Sequence, residues 1–415
     1  MTQRLSTPKE KLKFVLLEGI HPSALDTLRD DGYTTIETSP KALAGAALTA
    51  LIADAHFVGI RSRTHLTAEV LAQAPKLVAI GCFCIGTNQV DLGDAMRRGI
   101  PVFNAPFSNT RSVAELVLAE IVMLLRGIPH KNAVLHRNGW VKSAARSFEA
   151  RGKTLGIVGY GHIGTQIGVL AEQLGMTVVF HDIEAKLPLG NARPLGSLGT
   201  LLEVADVVSL HVPETPATQG MIGEAEIARM KPGACLINNS RGTVLDLEAL
   251  AAALRAKQLA GAAVDVFPVE PSSNTEKFAS PLQGLDNVIL TPHVGGSTEE
   301  AQERIGSEVA RKLVEYSDVG STTGAVNFPQ VQLSPRTAGT RFIQVQRNLP
   351  GELTRLNDVF ARHKVNIAAQ HYETAGDLGY VVLDADGPVA AAEAIVREIR
   401  ALPGTIRARM LYRKA

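Results

Sequence analysis

The chain is 415 residues long, enough for two or three domains that each bury a core of their own. Apolar residues make up 45% and charged residues 20%, and the net charge of +1 supplies no footprint for nucleic acid or an anionic membrane surface. The polar start, Met1 to Lys13, lacks a signal-like apolar core, and no apolar run approaches bilayer length, so a cytoplasmic protein outside the membrane is expected. Cys82, Cys84 and Cys235 form neither a CxxC pair nor an even framework, which predicts reduced thiols; the histidines show no ligand spacing, so no metal is expected.

Over the first hundred residues, apolar runs at Phe14–Leu17, Phe57–Ile60, Leu77–Ile80 and Val102–Phe103 alternate with helix-like segments at Pro22–Asp31, Thr67–Gln73 and Leu92–Arg98. That alternation predicts a parallel sheet with right-handed crossovers. Ser112, with Glu115 three residues on, has the form of a capping box opening a long helix to about Arg126 that carries the chain into a second domain.

The second domain contains Gly159-Tyr160-Gly161-His162-Ile163-Gly164. A strand-like run, Leu155–Val158, precedes it, a helix-like segment from His162 to Leu174 follows, and a second run, Thr177–Phe180, leads to Asp182. This is the context a dinucleotide fingerprint requires. The glycines permit a tight turn, close approach to a pyrophosphate and close helix packing, while the helix N-terminus attracts the anion. Asp182 can bond a ribose diol and repels a 2′-phosphate, which favours NAD. Further strands are expected at Val207–Leu210, Cys235–Asn238, Ala262–Val266 and Val288–Leu290, and the amphipathic segment Glu299–Tyr316 has the reach to return to the first domain.

From Ser317 to Thr340 the sequence is rich in Gly, Ser, Thr and Pro, which marks a linker. Beyond it the order strand Arg341–Gln346, helix Gly351–His363, strands Asn366–Tyr372 and Tyr380–Asp384, helix Pro388–Ala401 and strand Thr405–Tyr412 is βαββαβ, the ferredoxin-like arrangement. The expected fold class is α/β: two doubly wound parallel-sheet domains, 1–107 completed by 297–336 and 108–296, followed by a ferredoxin-like domain at 337–415.

Hydride transfer needs a proton carrier and a cation to hold the substrate, with the cofactor supplying the redox chemistry. Three predicted strand ends of the second domain carry such groups: Arg241, then Asp265 with Glu270 beyond it, then His293. Arg241 can grip a carboxylate, and a glutamate beside His293 would favour its imidazolium and fix its tautomer. Taken singly these residues could be a helix-capping arginine, a surface glutamate and a loop histidine; at successive ends of one sheet they favour function. In the first domain Arg61 and Arg63 also follow a strand. If that segment is extended, both point to one face, where they suit a phosphate, the alternative being solvated surface charge.

These segments together resemble the D-isomer-specific 2-hydroxyacid dehydrogenase family, and within it the bacterial, serine-regulated type that acts on 3-phospho-D-glycerate. The resemblance rests on FVGIRSRT at 57–64, CFCIGTNQVD at 82–91, NAPFSNTRSVAE at 104–115, the glycine motif, Ser240-Arg241-Gly242, Asp265-Val266-Phe267 with Glu270-Pro271, and Thr291-Pro292-His293. It implies a catalytic set of Arg241, Glu270 and His293, with His293 as proton donor. It places NAD against Gly159, Gly161, His162, Ile163, Gly164 and Asp182, against Asn239, Ser240 and Arg241, and against Asp265, His293, Val294, Gly295 and Gly296. Arg61 and Arg63 would take the substrate's phosphate, with Asn109 and Lys142 as further substrate contacts, Lys142 across a subunit boundary.

The tail resembles an ACT domain, with Asn348 and Asn366 at positions that would hold L-serine and Gln346 where close relatives place histidine. A homotetramer is implied, as are serine feedback and side activity on 2-oxoglutarate. The implied reaction is oxidation of 3-phospho-D-glycerate to 3-phosphohydroxypyruvate, the first step toward L-serine. The competing readings are a dehydrogenase of an unphosphorylated D-2-hydroxy acid and, in another class, an NAD-sensing corepressor-like binding protein.

Overall fold

A computed structural model describes residues 7–271, 273, 275–335, 339–386 and 389–412. They fall into two compact units, Met1–Ser108 together with Gln302–Ala415, and Asn109–Ala301.

The first unit opens with a five-stranded parallel sheet of β1 Phe14–Leu16, β2 Ile36–Thr38, β3 Phe57–Ile60, β4 Ala79–Cys82 and β5 Val102–Phe103, in the order β2-β1-β3-β4-β5. Strands β1, β3, β4 and β5 are buried along their whole length, as expected of strands with helices on both faces. The helix Glu299–Val319 returns late in the sequence and packs Ile305, Val309, Leu313 and Tyr316 against Phe14, Phe57 and Phe103. Each such side chain contributes roughly 1.5–3 kcal/mol by burial.

The same unit contains a four-stranded antiparallel sheet of β13 Thr340–Arg347, β14 Asn366–Ala375, β15 Leu378–Asp386 and β16 Thr405–Tyr412, in the order β14-β15-β13-β16. The helices Glu352–Arg362 and Val389–Ala401 cover one face, where Phe342, Leu356, Phe360, Val381 and Ile395 form a core. The alternate residues Ile343, Val345, Tyr380 and Val382 point the other way and join the core that contains Tyr316, Phe328 and Val331. The Tyr380 hydroxyl donates to Gly320 O at 2.6 Å, and Arg341 pairs with Asp384 while donating to Val319 O and Ser334 O. The predicted ferredoxin-like order is present, but its sheet is docked rather than isolated. The expected boundary at 336/337 and Pro388, the expected first residue of the last helix, lie outside the described residues.

The second unit is built on a seven-stranded parallel sheet of β6 Thr154–Val158, β7 Thr177–His181, β8 Arg193–Pro194, β9 Val207–Leu210, β10 Cys235–Asn238, β11 Gly261–Val264 and β12 Val288–Leu290, in the order β12-β11-β10-β9-β6-β7-β8. The winding reverses between β6 and β9, the point at which such sheets bind ligands beyond their carboxyl ends. The helices Thr110–Leu125 and His162–Gln173 pack together over one face through Val113, Val117, Ile121, Ile167 and Ala171.

The capping expectation at Ser112 is corrected. The helix starts at Thr110, Ser112 lies within its first turn with its hydroxyl 2.8 Å from Thr298 Oγ1, and Glu115 pairs with Arg111. Strand β2, strand β8 and the helices Gly45–Ile52 and Ile128–His136 have no counterpart in the expected elements.

Candidate active site

The glycine loop lies at the reversal of strand order. Gly159 has φ +90°, and a Cβ there would lie 2.4 Å from His211 O at the end of β9; one on Gly164 would lie 2.2 Å from Gly159 O. Both positions therefore exclude a side chain. A Cβ on Gly161 meets nothing within 4 Å, which leaves open space in front of the helix that begins at His162, as a pyrophosphate requires. Asp182 is at the end of β7: Oδ2 accepts from Tyr160 N at 2.8 Å and Oδ1 from Glu184 N at 3.0 Å. The carboxylate braces the glycine loop, and each oxygen keeps a lone pair for a ribose hydroxyl.

The loop after β10 carries Arg241. Asn238 Oδ1 accepts from both Ser240 N and Ser240 Oγ, Asn238 Nδ2 donates to Arg241 O, and Arg241 Nη1 donates to Ser240 O at 2.7 Å. A Cβ on Gly242 would come within 2.0 Å of the Phe267 carbonyl carbon, so only glycine lets this loop reach the chain that leads to Glu270. Asn239 donates from Nδ2 to Glu120 Oε2 at 2.9 Å. Glu120 is fully buried, and burial pushes its carboxyl up to about 8, against the Asn239 hydrogen bond and with the nearby Asp265 charge. It is a protonated acid at neutral pH, and its only sequence signal is one acidic residue inside an apolar helical run.

His293 follows β12 in the left-handed region, φ +55°. Its N–H donates to Asp265 O, while the next two, of Val294 and Gly295, donate to the Asp265 side chain at 2.8 Å each, and Thr291 Oγ1 donates to the same carboxylate. Asp265, 1% exposed, thus fixes the turn that carries His293. At Gly296 a Cβ would meet the Asn109 side chain, whose buried Oδ1 has no hydrogen-bond partner among the described residues.

Glu270 Oε2 lies 2.9 Å and Oε1 3.1 Å from His293 Nδ1, and Oε1 also accepts from Phe267 N. The hydrogen bond to Glu270 raises the His293 pKa above its usual value against burial, and the Arg241 charge opposes it. Burial works against the Glu270 charge, yet His293, the Phe267 amide and Arg241 together hold that carboxyl below its ordinary range. Arg241, Glu270 and His293 are therefore one electrostatic cluster. Such a cluster can bind a carboxylate at Arg241 and exchange a proton at His293 Nε2, since Nδ1 faces Glu270.

In the first unit the segment after β3 is a bend, not the extended strand that would set two arginines on one face. It is wrapped around the buried carboxylate of Glu18, which accepts from the backbone amides of Arg61 (3.1 Å), Arg63 (3.0 Å) and Thr64 (2.9 Å). Gln89 Nε2 donates to Arg61 O at 2.6 Å. Neither Glu18 nor Gln89 was expected from sequence, because neither belongs to a motif with chemistry of its own.

Lys142 is exposed next to the largely exposed Trp140, and among the described residues no hydrogen bond joins it to Arg241, Glu270 or His293. Asn348 does not cap the helix that follows it. Its Nδ2 donates to Gly376 O at 3.0 Å and its Oδ1 accepts from Tyr372 OH. Asn366 is exposed at the start of β14. Gln346 is fully buried, and neither atom of its side-chain amide has a hydrogen-bond partner among the described residues. No helix of the described residues is long and apolar enough to cross a membrane.

Residues 118–295 match the NAD-binding domain of the D-isomer-specific 2-hydroxyacid dehydrogenases, and residues 343–407 match an ACT domain of the acetohydroxyacid synthase small-subunit-like type. The chain is 61% identical over 409 residues to the D-3-phosphoglycerate dehydrogenase of Escherichia coli K12, covering 99% of this chain and 100% of that one. It is 58% identical over 412 residues to the Haemophilus influenzae protein of the same name, with 99% and 100% covered. Among solved structures, the D-lactate dehydrogenase of Aquifex aeolicus in complex with NAD and lactic acid superposes with a TM-score of 0.65 at 28% identity, covering 73% of this chain and 95% of that one.

Proposed function

The chain belongs to the D-isomer-specific 2-hydroxyacid dehydrogenase family, and we propose that it oxidises 3-phospho-D-glycerate to 3-phosphohydroxypyruvate in the first step of serine biosynthesis. The observation that carries the reading is the Glu270–His293 contact within electrostatic range of Arg241, three side chains delivered by consecutive strand ends of one NAD-binding sheet. NAD, when bound, supplies the hydride acceptor. Gly159, Gly161, His162, Ile163 and Gly164 would hold its pyrophosphate and Asp182 its ribose, along with Asn239, Ser240 and the Val294–Gly296 turn.

Arg241 grips the substrate carboxylate and polarises the neighbouring carbon–oxygen bond. Neutral His293 takes the hydroxyl proton at Nε2 as the C2–H bond breaks, and the imidazolium so formed is held by Glu270. In the reverse direction that imidazolium returns the proton to the carbonyl oxygen. Arg61 and Arg63 hold the 3-phosphate, and Asn109 and Lys142 complete the substrate site. Arg63 already faces the Glu18 carboxylate at 3.8 Å, so a phosphorylated substrate is favoured by the charge-assisted contacts that Arg61 and Arg63 can add to it. The same cluster suits reduction of 2-oxoglutarate, another 2-oxo acid.

We assign the ACT domain the role of a serine sensor, with Asn348 and Asn366 as contacts; among the described residues the Asn348 side chain keeps one N–H and a lone pair uncommitted. Reduced thiols at Cys82, Cys84 and Cys235 suit the cytoplasm, and paired ACT domains suit a homotetramer.

Initial rates of NAD reduction by 3-phospho-D-glycerate test the reading. His293→Ala should lower kcat by roughly 10²–10⁴-fold while NADH binding persists. A fully active His293→Ala enzyme, or a wild-type protein that fails to reduce NAD with this substrate, would refute it.

A further inference from the structure

The helix Thr110–Leu125 sends one buried acid beneath the catalytic loops. Along it, the Ser112 hydroxyl meets Thr298, and Val113 and Leu116 lie 3.7 Å from the point a Cβ on Gly295 would occupy. One turn beyond Leu116, Glu120 Oε2 accepts from Asn239 Nδ2 at 2.9 Å. The helix therefore runs from the turn that carries His293 to the loop that carries Arg241. Within that loop Asn238 binds Ser240 and the Arg241 carbonyl, and Glu120 holds the Asn239 side chain.

An acid is a costly residue for this place, which an apolar side chain would fill without loss. The polar atoms around it show what the acid adds. Glu120 Oε1 and Asn239 Oδ1 are both buried, and neither has a hydrogen-bond partner among the described residues. A neutral acid has an O–H to donate and an amide has an oxygen to accept it, so the two groups can satisfy each other twice; a carboxylate can do so only once. The charge that acts on Glu120 is that of Asp265, the carboxylate that fixes the His293 turn, and an ionised Glu120 would repel it. The core packed against this helix brings no further charge. Ile167 and Ala171 are apolar, and Cys235 at the start of β10 keeps its proton because burial pushes its thiol up to about 12. On the helix itself, Arg111 and Glu115 pair with each other at the exposed surface.

We propose that Glu120 is a positioning residue for the reaction: its carboxyl holds Asn239, and through it the Arg241 loop, at a set distance from the Asp265 that fixes the His293 turn. The inference rests on the dehydrogenase reading of the site. It makes this buried acid a feature kept for function against stability. Above about pH 8 Glu120 ionises, loses its O–H for Asn239 and repels Asp265. The Arg241 loop and the His293 turn then separate, and the grip on the substrate carboxylate loosens.

Two measurements on the full-length protein test this. One is kcat/KM for NAD reduction by 3-phospho-D-glycerate across neutral and alkaline pH. The other is isothermal titration of the NADH-loaded protein with oxalate, an unreactive dicarboxylate that Arg241 can grip, with Arg241→Ala marking the signal that belongs to Arg241. Glu120→Ala releases Asn239 and should lower both kcat/KM, mostly through KM, and oxalate affinity by on the order of tenfold. Glu120→Gln can still make both bonds to Asn239 and never ionises, so at neutral pH it should restore most of each loss. The wild-type rate, after rising as His293 deprotonates, should fall again through about pH 8, and Glu120→Gln should keep the rise and lose the fall. An alkaline fall absent from the wild type or retained in Glu120→Gln would overturn the proposal, as would wild-type kcat/KM and oxalate affinity in Glu120→Ala. Should Glu120→Ala fail to fold, the pH profile of Glu120→Gln decides. A wild-type protein that fails to reduce NAD would overturn the proposed function instead, and the oxalate comparison would still decide the role of Glu120.

Discussion

Glu270 Oε2 stands 2.9 Å from His293 Nδ1, so the carboxylate fixes which ring nitrogen is left to exchange a proton. The pair also sets a pH window. His293 has a folded pKa above its ordinary 6.5, so its contribution to stability is complete below 6.5 and is lost as pH rises through the raised value. Glu270 has a folded pKa below its ordinary 4.5, so its contribution is complete above 4.5 and is lost as pH falls through the lowered value. The contact is therefore strongest between these two limits.

Oxidation needs neutral His293, so its rate should climb with pH through the raised pKa. Glu270→Gln removes the charge that raises it. The acidic limb of the kcat/KM profile should then move to lower pH, and kcat should fall because the ring is held less well. A pH–rate profile of the variant checks both effects; an unmoved acidic limb would separate Glu270 from the titration of His293.

The Glu18 carboxylate gathers three backbone amides of the Arg61–Thr64 bend. Glu18→Ala would strand buried donors at about 1–3 kcal/mol each, partly relieved by entering water. A loss of stability in denaturant titrations is expected, together with a KM for the phosphorylated substrate that rises more than kcat falls. Glu18→Gln, which keeps one acceptor oxygen, should give an intermediate result.

Glu120 retains its proton in the folded protein up to about pH 8, whereas in the unfolded chain it ionises near 4.5. Its raised pKa favours the folded state only below the unfolded value, and stability is lost as pH rises from there toward 8. At neutral pH the cost is on the order of a few kcal/mol. Glu120→Gln should therefore raise Tm, by more at pH 8 than at pH 5. A Tm difference independent of pH would show that Glu120 is not a buried neutral acid.

Much of this architecture is legible in the sequence because long apolar runs and glycine punctuation leave few alternatives. The strands β6, β7, β9 and β10 were expected within a residue or so, and so were both ACT helices. Elements without a strong periodic signal were not. Strand β2 buries little of its three residues, β8 is a two-residue edge, and the helix Ile128–His136 has no buried residue.

At the site, Arg241, Glu270 and His293 were identifiable because each lies on the segment that follows a readable strand. Glu18, Gln89 and Glu120 were not, since a buried polar side chain that holds backbone leaves no spacing pattern. The docking of the ACT sheet was also hidden. Ile343, Val345 and Tyr380 alternate with Phe342, Gln344 and Val381 as in any strand buried on both faces, and the pattern does not reveal what covers the second face.

The central claim, a phosphorylated 2-hydroxy acid as substrate, is tested most directly by NADH oxidation with 3-phosphohydroxypyruvate, hydroxypyruvate and 2-oxoglutarate. Each charge-assisted contact from Arg61 and Arg63 is worth about 1.5–3 kcal/mol, so kcat/KM for the phosphorylated substrate should exceed that for hydroxypyruvate by roughly 10²-fold or more. Arg61→Ala/Arg63→Ala should collapse that ratio, chiefly through KM. Equal kcat/KM for the two substrates in the wild-type protein would contradict the account.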